Sequence, residues 1–228
     1  MLGGGSVCLS VCLSQVMYMI HSLRYFVTAS SGLSSFPEFV AVGMVDEVQF
    51  GHYDSVSERA VPKQAWMDQV TRDRPDYWER ETYRGLGYQQ VSKFNVEIAK
   101  KRFNQTGGAH IVQLMSGCEW DDEDDSTDSH HQYAYDGEDF LAFDLKTLTW
   151  VAPVRQAVPT KLRWDQDRAE NQYNKHYYTK VCVDLLKKFL AYGKSTLSSF
   201  VLSGCWSPPG LRLVTNPVCD IHGQDIEA

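Results

Sequence analysis

The sequence contains no run of about 18 or more apolar residues, so nothing in it can cross a bilayer as a helix. It also lacks G-x-S-x-G, H-E-x-x-H and C-x-x-C, and the adjacent His130 and His131 have no nucleophile nearby in sequence. No catalytic residue is assigned on that basis, and the chain does not read as an enzyme. Basic stripes are missing as well: 22 Lys and Arg stand against 29 Asp and Glu, and the formal net charge is -7. Nucleic-acid binding, which rests on clustered cations against phosphates, is therefore excluded. Near Met1 there is no Lys or Arg, so "MLGGGSVCLSVCLSQVMYMI" makes a poor signal peptide on its face. Residues 1–20 read as a leader or a poorly ordered N-terminal segment.

What is present is enough for a sizeable core, with 43% hydrophobic and 12% aromatic residues over 228 positions. The acidity is local. "DDEDDSTD", residues 121–128, carries six negative charges, which leaves the remainder close to neutral. Together with His130 and His131 this stretch has the residue types of a cation site. No register, however, puts Gly at the sixth and Glu at the twelfth position of a calcium loop. It reads instead as the solvated turn of a hairpin, and no metal or cofactor is expected.

Short alternating runs, "SLRYFVTAS", "EFVAVGMVD" and "EVQFGHYDS", predict three strands between residues 21 and 54. Pro75 and Asp76 then open a long helix running to Phe103, interrupted only by Gly85 and Gly87, with Tyr77, Phe94 and Ile98 toward one side. The plan repeats: "AHIVQLMSGCEW", "HQYAYDGEDF" and "LAFDLKTLTW" give three or four more strands, and a second helical region follows from about Arg155 to Leu190. Gly193 is expected to terminate it, and order is expected to stop beyond Leu197. "FVAVGMVDEVQF" and "QYAYDGEDFLAF" are alike, each a pair of hydrophobic strands joined across a short acidic turn. Two such halves predict an α+β fold, one antiparallel sheet of eight strands with two long helical regions on one face.

Cys118 closes a strand and Cys182 lies on the core face of a helix, 64 positions later. A disulfide between them would staple helix to sheet and contribute about 4 kcal/mol; two free buried thiols are the alternative. "NQT", from Asn104 to Thr106, is an N-glycosylation sequon just past the first helix. A bridge and a glycan would both imply a secretory route. Tyr25 on a strand and Tyr77, Trp164 and Tyr177 on the helical regions could line a groove above the sheet, with hydroxyls and an N–H suited to clamping an extended peptide. Plain core packing is the alternative for any one of them.

At "HSLRYF", "FVAVGMVDEVQF", "PDYWERET", "RFNQTGG", "GCEW", "YAYDGEDF", "LRWD" and "GKSTL" the chain resembles the peptide-binding platform of major histocompatibility complex class I heavy chains. The resemblance covers residues 21–197, an alpha-1 half over about 21–107 and an alpha-2 half over about 108–197. It implies that short peptides are held between two helices and presented to T-cell receptors. The matching peptide-terminus positions are Tyr25, Tyr77, Tyr177 and Phe189 on the amino side, and Arg102, Thr160, Arg163 and Trp164 on the carboxyl side. Phe189 stands where presenting members usually have Tyr, and Arg102 where mammalian members have Tyr and many non-mammalian ones Arg; Arg163 replaces the usual Lys. Val27 and Ser116 occupy floor positions where an aromatic is common, which should reshape the floor and make room there. These departures keep a second reading open, a non-presenting class I-like protein with a closed or differently filled groove that acts as a receptor ligand.

The resemblance also implies beta-2-microglobulin beneath the sheet, with matching positions Phe26, Thr28, Gln113 and Asp139. The family is displayed at the cell surface; the chain as given is expected in the secretory pathway and outside the cell. Residues 198–228 lack the length and the Cys–Trp framework of an immunoglobulin domain and read as an irregular tail. The chain is accordingly expected to be a truncated, alternatively spliced or mispredicted product, which weakens the beta-2-microglobulin expectation.

Overall fold

The computed structural model describes residues 19–204. Most of the expected leader, residues 1–20, and most of the expected tail lie outside that range; order begins earlier than expected, because Ile20 already belongs to the first strand and the Met19 amide donates to Asp122 Oδ1 at 2.7 Å. Among the described residues one sheet of eight strands carries the helices, in the order β4-β3-β2-β1-β5-β6-β7-β8. The strands are β1 (Ile20–Ser31), β2 (Phe39–Val45), β3 (Val48–Asp54), β4 (Arg59–Pro62), β5 (His110–Asp121), β6 (Thr127–Tyr135), β7 (Glu138–Asp144) and β8 (Thr149–Val151). Every pairing is antiparallel, and β1 against β5 joins the two halves.

The likeness of the halves has a local cause. The β2–β3 connection is Asp46–Glu47, at φ 46 and 66, and the β6–β7 connection is Asp136–Gly137, at φ 49 and 85. Two-residue turns with both φ positive match the twist of a hairpin, and Asp and Gly tolerate that geometry best.

Helices are labelled α1 (Met67–Asp73), α2 (Tyr77–Arg102), α3 (Val158–Gln166), α4 (Arg168–His176) and α5 (Cys182–Gly204). A single 3-10 turn, Arg155–Ala157, leads into α3, and a π-helical turn, Tyr177–Val181, joins α4 to α5. The second helical region is thus broken where the sequence suggested one piece. Asp167 makes the first break: it leaves helical geometry and its side chain accepts from the Glu170 amide at 3.1 Å, capping α4.

Several expectations are corrected. Gly193 does not end the helix, which continues to Gly204. Gly193 is buried within the helix, and the next Pro, which would break it, comes only at residue 208. Phe94 is 71% exposed and does not share the buried side of α2 with Tyr77. The hairpin turn is narrower than the acidic run, because Asp121 belongs to β5 and Thr127 to β6. Its charges are not all simply solvated: Asp125 accepts from Trp120 Nε1 and from Lys187 Nζ of α5, each at 2.6 Å, and Lys187 lies 4.2 Å over the Trp120 ring.

Cys118 and Cys182 are joined and fully buried, tying β5 to the start of α5. Around them Leu23, Val45, Leu186 and Phe189 are completely covered. Up to Lys194 the chain forms one compact unit.

Candidate functional site

Strand alternation sends Tyr25, Val27, Leu114 and Ser116 up beneath the helices, where they line a cavity of about 200 Å³ between α2 and α4. Tyr77, Glu81, Arg84 and Tyr88 form one wall, a spacing of three to four that keeps them on one face of α2. Tyr173, Asn174, Tyr177 and Tyr178 form the other. A regular α-helix turns consecutive residues 100° apart, so Tyr177 and Tyr178 would not both face the sheet. The π-helical turn brings both in.

The chamber is polar at one end. Burial pushes the phenols of Tyr25, Tyr77 and Tyr177 up, so all three stay neutral donors and acceptors. Among them lies an ion pair in which Arg84 Nη1 donates to both carboxylate oxygens of Glu81, at 2.7 and 2.9 Å. Burial raises the Glu81 carboxyl, with Arg84 opposing the rise. Three hydroxyls and a carboxylate are suited to receive an ammonium or amide group.

At the other end a second cavity of about 40 Å³ is lined by Asn95, Ile98, Arg102, Tyr133, Thr160 and Trp164, among others. Arg102 Nη1 donates to Thr160 Oγ1 at 2.6 Å and to the Gln156 carbonyl at 3.1 Å, bridging α2 to the opposite wall. Desolvation lowers its pKa, but a guanidinium there remains a cation fit for a carboxylate.

The structure therefore brings Tyr25, Tyr77 and Tyr177 together at one end and Arg102, Thr160 and Trp164 at the other. Two of the expected groove residues stand apart. Phe189 is fully buried against Phe50 and Trp66, ring centroids 4.9 and 5.5 Å away, and lies outside the chamber lining. Arg163 is exposed on α3, outside the small cavity.

On the underside, Thr28, Gln113, Ala134 and Asp139 pair in turn across β1, β5, β6 and β7 as one row, with Phe26 two residues before Thr28 on the same face. Asn104 is exposed at φ 56 in the turn after α2.

Glu81, Arg84, Tyr173, Tyr178 and His131 were not singled out from sequence as groove residues. The i, i+4, i+7 spacing of Tyr77, Glu81 and Arg84 was an available signal. Tyr178 carried one too, since it stands seven residues after Asn171 and four before Cys182, both buried, and so falls on the inward face in regular helical phase. His131, which composition placed in a candidate cation site, lies under Tyr178 in the groove floor, its Nδ1 2.6 Å from the Tyr178 hydroxyl.

Comparison with known proteins gives concordant results. Residues 19–197 match the family described as class I histocompatibility antigen, domains alpha 1 and 2. The F10 alpha chain of a class I histocompatibility antigen from Gallus gallus is 40% identical over 179 residues, which is 78% of this chain and 51% of that protein. Class I-related protein 1 of Mus musculus is 42% identical over 178 residues, 78% of this chain and 51% of the relative. The H-2 class I K-K alpha chain of Mus musculus is 40% identical over 182 residues, 78% of this chain and 48% of the relative. The chain thus spans about half the length of the curated relatives it matches.

Proposed function

Because the chain belongs to the class I histocompatibility antigen family, we propose that it binds short peptides in the groove between α2 and the α3–α5 wall and presents them to T-cell receptors. The observation that carries this reading is the polarity of the groove's two ends. Tyr25, Tyr77 and Tyr177 with Glu81 suit a peptide ammonium, and Arg102 with Thr160 suits its carboxylate, with Trp164 beside them. Arg163, exposed nearby on α3, would supply a further cation to that carboxylate, and Phe189 would support the amino end from behind with a ring but no hydroxyl.

Beta-2-microglobulin would dock beneath the sheet along Phe26, Thr28, Gln113 and Asp139. A glycan on Asn104 and the Cys118–Cys182 bridge fit passage through the secretory pathway to the cell exterior. A second reading, a class I-like protein whose groove is closed to peptides, is favoured by one observation, the division of the groove into two separate cavities.

Co-expression with beta-2-microglobulin, capture of the complex and acid elution tests the choice. Short peptides identified by mass spectrometry are expected. A folded complex that releases none would count for the second reading.

A further inference from the structure

Between the two cavities the groove is crossed by side chains. Tyr178 descends from the π-helical turn and its hydroxyl meets His131 Nδ1 of β6 at 2.6 Å. Tyr178 also stands beside Ser116 of β5, with which it lines the large cavity, and the Tyr178 carbonyl accepts from Ser129 Oγ at 3.1 Å. The His131 ring then packs edge-on against Tyr133, centroids 5.5 Å apart, and Tyr133 rests on Trp164 at 5.5 Å. Tyr178 lines the large cavity, and Tyr133 and Trp164 line the small one. The small floor residue Ser116 is thus covered from above by Tyr178, and the room gained at Val27 stays on the amino-end side.

On the scale where one water takes roughly 10–15 Å³, the 40 Å³ seat admits about three such groups, the size of a valine or threonine side chain. The 200 Å³ chamber admits more than a dozen, enough for two large side chains.

We propose that Tyr178 and His131 act as a specificity-determining partition: they hold the middle of a bound peptide off the floor, confine large anchoring side chains to the amino-end chamber and leave the carboxyl-end seat to a small one. This rests on the peptide-binding reading. Both residues are fixed at several points, so the partition belongs to the built groove and not to a loose side chain.

The test compares peptides eluted from the full chain with those from Tyr178→Ala and Tyr178→Phe, each captured with beta-2-microglobulin. The unchanged protein should yield peptides with a small carboxyl-terminal residue and no bulky preference at central positions. Y178A extends the large cavity across the groove to His131, and bulky residues at one central position should become enriched by at least about tenfold, the discrimination a filled apolar pocket exerts. Y178F keeps the ring and should keep the original preference.

A bulky carboxyl terminus or a bulky central anchor in the unchanged protein overturns the partition, and does so even if Y178A fails to assemble. An identical preference in assembled Y178A overturns it too. A folded complex that releases no peptide at all overturns the peptide-binding reading and the partition with it, and is told apart from the other outcomes by the empty eluate.

Discussion

His131 is covered by Tyr178, Tyr133 and Trp150, with ring centroids 5.1 to 5.5 Å away, and this burial holds its imidazole neutral, with a pKa lowered to about 4. In the unfolded chain the same group titrates near 6.5. Below that value the unfolded state binds the extra proton first, so stability falls as pH drops from about 6.5 toward 4. The loss amounts to roughly 3 kcal/mol once both states are protonated. Urea midpoints measured between pH 7 and 4.5 should therefore fall less steeply for His131→Gln than for the unchanged protein; equal slopes would remove His131 as the cause. Residues of this kind mark how far sequence carries at this scale. Tyr25, Tyr77, Trp164 and Tyr177 were legible because an aromatic with a polar tip suggests a wall. His131 was not, because its role depends on a tyrosine 47 positions away.

Helix α2 contains two glycines that look equivalent in sequence and are opposites in the fold. A methyl group on Gly85 would come within 2.5 Å of the Tyr53 ring on β3, whereas one on Gly87 would meet nothing within 4 Å. Gly85 lets the helix rest on the sheet and sets the depth of the chamber wall. Gly85→Ala should cost about 1–3 kcal/mol through overpacking, despite alanine's better helix propensity. Gly87→Ala should stabilise by up to about 1 kcal/mol, since only propensity changes. Thermal melts of the two variants should move in opposite directions. Strand and turn positions were readable from alternation and from the acidic pairs at the hairpins, because both signals are local. The π-helical turn and the end of α5 were not, since each depends on which side chains the sheet accepts. Tyr177 and Tyr178 stand five residues before Cys182 and Val183, and the wider turn lets both pairs face inward.

At the scale of the platform, the groove is lined by desolvated hydroxyls, and a ligand filling it would add stability by mass action. A bound peptide at a hundred times its dissociation constant contributes about 2.7 kcal/mol. For a platform of this size that corresponds to a melting temperature higher by about 5–10 °C. Adding back the eluted peptide pool to acid-stripped protein should produce such a rise, and a melt that ignores the pool would argue against groove occupancy. The repeated plan of the two halves made the architecture legible, since each half repeats the order of strands, tight turn and helix. The division of the groove was not legible, because it arises where the halves face each other. The acidic β5–β6 hairpin has a consequence at this scale too. With six acids on a chain of net charge -7, most of the excess negative charge is gathered at that hairpin. A cationic partner diffusing toward the molecule is turned to face the hairpin before any contact is made. At physiological salt the orienting pull reaches only about 8 Å from the surface, so it selects the angle of approach and leaves the strength of the final complex to other contacts.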